Sequence, residues 1–223
     1  MMRDLKLGFK IMKYGLGVKA SVFALVVCII ASVFFSMLVP FGMGGLYLGL
    51  AVMMVTQLVF SVSVSTMVQT SPQKKRLQTT VPTLISGIFL LLCNTLNLLF
   101  AWLGYLRMQN NTNSFFVITM EPGEFEAGII FTSGMMVFIM IYAYCSMKYL
   151  WAGTIAFLVL FFSGFHYLRV GEIVYPIMPT WVAVLISYGI VVAGCVLMYG
   201  ISCITYKKDY SRQTFETQLK RAS

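Results

Sequence analysis

Residues 71–106 read SPQKKRLQTTVPTLISGIFLLLCNTLNLLFAWLGYL, a proline-marked basic cluster followed by a run, 83 to 106, that contains no Asp, Glu, Lys or Arg. As a helix rising about 1.5 Å per residue, that run exceeds the roughly 30 Å hydrocarbon core of a bilayer. Five further runs of the same kind lie outward from it, at 20 to 39, 45 to 68, 127 to 147, 149 to 166 and 179 to 206, none with an interior charge. Composition agrees: 59% of residues are hydrophobic and 10% charged, with a mean hydropathy of +0.86, against about 25% charge in a soluble domain. In residues 20 to 39, twelve side chains are Val, Leu, Ile or Phe, which together favour insertion by roughly 5 kcal/mol. A cleaved signal peptide is a poor account of this first run, because Met37-Leu38-Val39-Pro40 lacks a small-x-small cleavage site.

Charge sets the expected orientation. Residues 1 to 19 carry +4, the connection with Lys74, Lys75 and Arg76 carries +3, Lys148 adds one, and the tail from 207 carries +3. The intervening connections are neutral or, at 107 to 126, acidic. The positive-inside rule then predicts six crossings with both termini in the cytoplasm. The expected class is an all-α integral membrane protein in three parts. Residues 1–19 form a cytoplasmic interfacial helix, 20–206 a six-span domain and 207–223 a basic cytoplasmic tail. The basic excess flanks spans instead of forming a stripe, so no nucleic-acid partner is expected.

In residues 1–19, Leu5, Phe9 and Met12 fall on one helical arc and Lys6, Lys10 and Lys13 on a neighbouring one. Apolar side chains there enter the acyl boundary while the lysines reach lipid phosphates. In the connection after the second run, Ser71 can cap and Pro72 can open a short helix that includes Gln73, Lys74, Lys75 and Arg76. Its bland reading is a loop whose cations only set topology. Residues 166 to 180, with Gly171, Pro176 and Pro179, read as a broken hairpin at the outer surface.

Inside the runs, Asn94 and Asn97 stand three apart on one helical face that continues through Gly87, Leu90, Ala101 and Gly104. Amides in hydrocarbon need partners, so this face is expected to meet another helix or an aqueous path. Thr56 and Gln57 in the second run are candidates for the same route. Ala20, Ala24, Cys28, Ser32 and Ser36 recur every fourth position, and Gly45 and Gly49 form a GxxxG pair, both signs of close helix contact.

No catalytic constellation is read. The single His166 lies at an outer membrane edge, and the five cysteines fall in apolar runs without metal-binding spacing, so neither metal nor disulfide is expected. The chain lacks GxxxxGK[ST], so any ATP-driven work would use a separate subunit.

An interfacial basic helix, six spans with both ends inside, a short helical segment between spans two and three and a broken outer hairpin before span six resemble a type-two ATP-binding-cassette permease. In size and style the chain is similar to Gram-positive permeases that export amphipathic toxin peptides or lantibiotics, including the phenol-soluble-modulin exporters. The resemblance implies a bacterial plasma-membrane location, a second copy of the permease or a paralogous one, and a cytosolic ATPase subunit that binds the ATP and Mg. It also implies that Ser71 to Arg76 form the coupling segment and residues 1–19 the connecting helix. Two other classes share the layout: the six-span substrate-capturing component of a vitamin uptake transporter, which would bind one solute without an ATPase, and a membrane immunity or sensor protein for a toxin peptide.

Overall fold

The computed structural model describes residues 18–38, 43–62, 68, 72, 74–110, 123–149, 154–155, 158 and 178–206. Its elements are α1 (Val18–Leu38), α2 (Met43–Val62), the short α3 (Lys74–Gln78), α4 (Thr80–Asn110), α5 (Glu124–Lys148) and α6 (Thr180–Thr205). The interfacial-helix residues Leu5, Lys6, Phe9, Lys10, Met12 and Lys13, the cap Ser71 with Gln73, the tail, and most of 149 to 166 and of 166 to 180 lie outside the described residues.

Four helical stretches are long and apolar enough to cross a bilayer: Gly44–Ser61, Lys74–Arg107, Glu124–Lys148 and Thr180–Thr205. α1 contributes a shorter apolar stretch, Val22–Ser36. These helices are apolar on their outer faces as well as their inner ones. Phe23, Ile30 and Phe34 on α1 and Trp181, Leu185, Val196 and Ile204 on α6 are all exposed. Surface of this kind is stable against lipid tails and prone to association in water.

Helix ends follow local chemistry. Gly123 adopts φ 87°, a left-handed turn open to glycine, and the chain then enters α5, whose first turn holds Glu124 and Glu126 and whose last turn holds Lys148. Both charge placements complement the helix dipole. Pro179, extended at φ −61° and ψ 139°, precedes α6. Pro82 sits in the first turn of α4, where its missing amide hydrogen costs no hydrogen bond.

α2, α4, α5 and α6 enclose the core, with α1 packed chiefly on α2. Leu48, Val52, Leu90, Met136, Met140, Val191 and Met198 fill the middle, and Phe60 meets Tyr144 at 4.6 Å between ring centroids. A second cluster joins Val55, Val59, Val81 and Ile85, against which Leu25 and Leu77 pack. The small-residue pattern of α1 is a contact within the chain: Cys28, Ser32 and Ser36 are buried, and Ser36 lies against Gly44 and Gly104. In α2, Gly45 faces Asn97 and Thr132, and Gly49 faces Ile139. On α6, Gly194 faces the methyls of Val137 so closely that an added Cβ would overlap them.

Contacts along the bundle fix the sense of each helix. α5 and α6 run parallel, joined by Thr180 to Glu126 near their starts, Ser187 to Ser133 midway and Thr205 to Tyr144 near their ends. The Thr83–Ser202 contact and Lys75, 5.4 Å above the Tyr206 ring, put α3 and the start of α4 at the end where α6 finishes. Leu25, packed on the cluster of Val55, Val59, Val81 and Ile85, brings the start of α1 towards the same end.

Candidate functional site

Among the described residues, polar chemistry gathers in a buried seam across α4, α5 and α6 and in a basic cleft at the α3 end. The seam is built on Asn94, which α4 presents to a junction with both neighbours. Its Nδ2 donates to Ser187 Oγ at 3.0 Å, and Ser133 Oγ donates to its Oδ1 at 2.7 Å. Ser133 and Ser187 are themselves 2.7 Å apart. With Ser187 donating to Ser133, the three residues form a closed ring, each giving one hydrogen bond and receiving one. One turn further along α4, Asn97 Nδ2 donates to Thr132 Oγ1 at 2.9 Å. Thr132 Oγ1 also donates back to its own helix, at Gly128 and Ile129, and Ile129 O, 2.9 Å from Ser133 Oγ, competes with Asn94 for the single Ser133 proton.

All five side chains are buried. A buried amide in hydrocarbon is costly alone and useful when paired. The pairing here leaves no group of the ring facing lipid, so the seam acts as an inter-helix clasp. Its geometry is neutral throughout, and it holds hydroxyls and amides only.

Of the residues expected to share a route with Asn94 and Asn97, Thr56 is fully buried and its hydroxyl has no hydrogen-bond partner among the described residues. Gln57 is half-buried. Neither joins the Asn94 ring. Ser32 and Ser86 have similarly unpartnered buried hydroxyls. Sequence reasoning singled out the two asparagines from their spacing and missed Thr132, Ser133 and Ser187, because a lone hydroxyl in an apolar run carries no signal until its neighbour across the helix contact is known. Among the described residues no group of three or more His, Cys, Asp or Glu is placed to hold a metal ion.

At the other site, α3 is a single helical turn that continues almost directly into α4. Thr79 N donates to Lys75 O at 3.0 Å, closing α3, and Thr83 N donates to Thr79 O at 3.2 Å, opening α4, so the two helices meet at Thr79. Thr79 Oγ1 adds a second bond to Lys75 O at 2.8 Å. A short helix is present over Lys74–Gln78, and Pro72, expected in its first turn, lies in a turn ahead of it. Lys74, Lys75 and Arg76 are exposed, and Gln78 and Thr79 are buried beneath them. Pro72, Lys75, Arg76, Thr79, Thr80 and Tyr199 line a cleft of about 320 Å³ between α3 and α6. No family model, curated protein or solved structure matches the chain.

Proposed function

We propose that the chain is the membrane-spanning permease subunit of an ATP-driven exporter that moves amphipathic peptides out of a bacterial cell. In this reading it crosses the plasma membrane six times with both ends in the cytoplasm. It pairs with a second permease copy and takes energy from a separate cytosolic ATPase that binds the ATP and Mg. The observation that carries the reading is α3: a basic turn, joined by helical hydrogen bonds to a span, at the end of the bundle where α1 starts and α6 finishes.

A force applied to α3 would pass into α4 through Thr79, to which both helices are hydrogen-bonded. From α4 it reaches α5 and α6 through Asn94, Ser133 and Ser187, so the three helices would move as one body. That is the behaviour a coupling segment needs. Charge supports the same orientation, since Lys74, Lys75, Arg76 and Lys148 lie at one end while Glu124 and Glu126 begin α5 at the other. Because α5 and α6 are parallel, Tyr149 and Pro179 stand at opposite ends of the bundle, which supports the expected crossing at 149 to 166.

The test is charge reversal of the segment. Lys74→Glu, Lys75→Glu and Arg76→Glu together should abolish stimulation of the partner ATPase and leave the amount of membrane-inserted chain unchanged, because the three side chains are exposed. Full stimulation in the triple variant would remove the basis for the assignment.

A further inference from the structure

The cleft between α3 and α6 has the composition of an anion site facing a lipid surface. Two of its six lining residues, Lys75 and Arg76, are cationic and none is acidic; Thr80 adds a hydroxyl and Tyr199 a phenol. Lys75 is steered there by the Tyr206 ring, 5.4 Å from its ammonium nitrogen, a cation–π contact that holds the charge above the end of α6. Thr79 Oγ1 is committed to Lys75 O, which fixes the turn carrying both cations against the first residues of α4.

What lies next to the cleft, away from α3, identifies the rest of the ligand. Tyr199 is 45% exposed, and Val196 at 67% and Val192 at 55% continue from it along one face of α6. On α4, Ile88, Leu92 and Leu99 form a matching exposed stripe. The surface hydrogen bond between Thr95 and Tyr188, 3.0 Å long, places these two stripes side by side. The basic cleft, lined in part by Tyr199, therefore borders an exposed apolar strip formed by α4 and α6.

We propose that the cleft and strip bind one anionic phospholipid, with its phosphate between Lys75 and Arg76 and its acyl chains along Val192, Val196, Ile88 and Leu92. A soluble phosphate would use the cations alone and make no contact with the apolar strip. A zwitterionic lipid would cover the strip but bring its own cation to a site already carrying two. The inference requires only that the chain lies in a bilayer; it does not rest on export or on an ATPase.

The chain, purified in detergent, is tested by native mass spectrometry with phosphatidylglycerol and phosphatidylcholine of matched acyl chains. Each cation near a lipid surface contributes on the order of a fivefold gain in affinity for anionic lipid. The wild-type chain should therefore retain phosphatidylglycerol about tenfold or more over phosphatidylcholine. The exposed pair Lys75→Gln and Arg76→Gln should bring the ratio near one, whereas the same charge removed from the tail by Lys220→Gln and Arg221→Gln should leave it high. Equal retention of the two lipids by the wild type, or an equal drop in both double variants, would overturn the site. Complete displacement of phosphatidylglycerol by excess inorganic phosphate would overturn the lipid assignment and make the ligand a free phosphate.

Discussion

Asn94 derives its importance from what faces it. Alone in an apolar helix it would be a buried amide without water; with Ser133 and Ser187 in reach it ties three helices together. Asn94→Ala leaves both serine hydroxyls facing a small void, so it is expected to lower stability by about 1–2 kcal/mol, read as the shift in unfolding midpoint in mixed micelles. Thr95→Val, which removes the exposed link to Tyr188, should cost only a few tenths of a kcal/mol, near the low end for hydrogen bonds between spans. Equal losses in the two variants would show that the ring is not a clasp. At this scale the two asparagines were legible, because amides three apart in a chargeless run are conspicuous. Their partners stand 39 and 93 positions away from Asn94, and no local pattern distinguishes those serines from others in the same helices.

Among the elements, α3 and α4 have the most consequential junction. The bonds from Thr79 N to Lys75 O and from Thr83 N to Thr79 O make a short turn into an extension of a span. The amides of Thr79 and Thr83 should accordingly exchange with deuterium far more slowly than a loop, by at least about tenfold, in exchange measurements on the detergent-solubilised chain. Exchange at loop rates across 74 to 83 would mean that α3 moves independently and cannot carry a force into α4. The short helix was readable from Pro72, the basic triplet and Pro82. Its near-continuity with α4 was not, since Pro82 can begin a helix or stand within its first turn, and the choice depends on how Thr79 and Thr80 pack. The helices also include residues outside the apolar runs: α2 contains Met43 and Gly44 ahead of the run at 45, and α4 covers Thr80–Asn110 around the run at 83 to 106. Hydrophobicity marks the part of a helix that lipid favours, whereas hydrogen bonding continues until a turn or cap ends it.

For the molecule as a whole, the proposed topology makes a direct prediction. In a chain whose five cysteines are replaced by alanine, Glu124→Cys should react with a membrane-impermeant maleimide in intact cells, and Lys75→Cys only after permeabilisation. Reaction of both from the same side would contradict the arrangement. The sequence by itself determined that the protein is built of apolar helices and that its cations gather in particular connections, because insertion into hydrocarbon depends on side-chain transfer energies that add along each segment. Only the tertiary structure decided which helices run parallel, that the small-residue faces of α1 and α2 close on neighbours in the same chain, and that Asn94 meets two serines while Thr56 meets none. Those outcomes depend on helix rotation and crossing register, where a shift of one residue turns a side chain by about 100°, and each is settled by the simultaneous packing of all the helices.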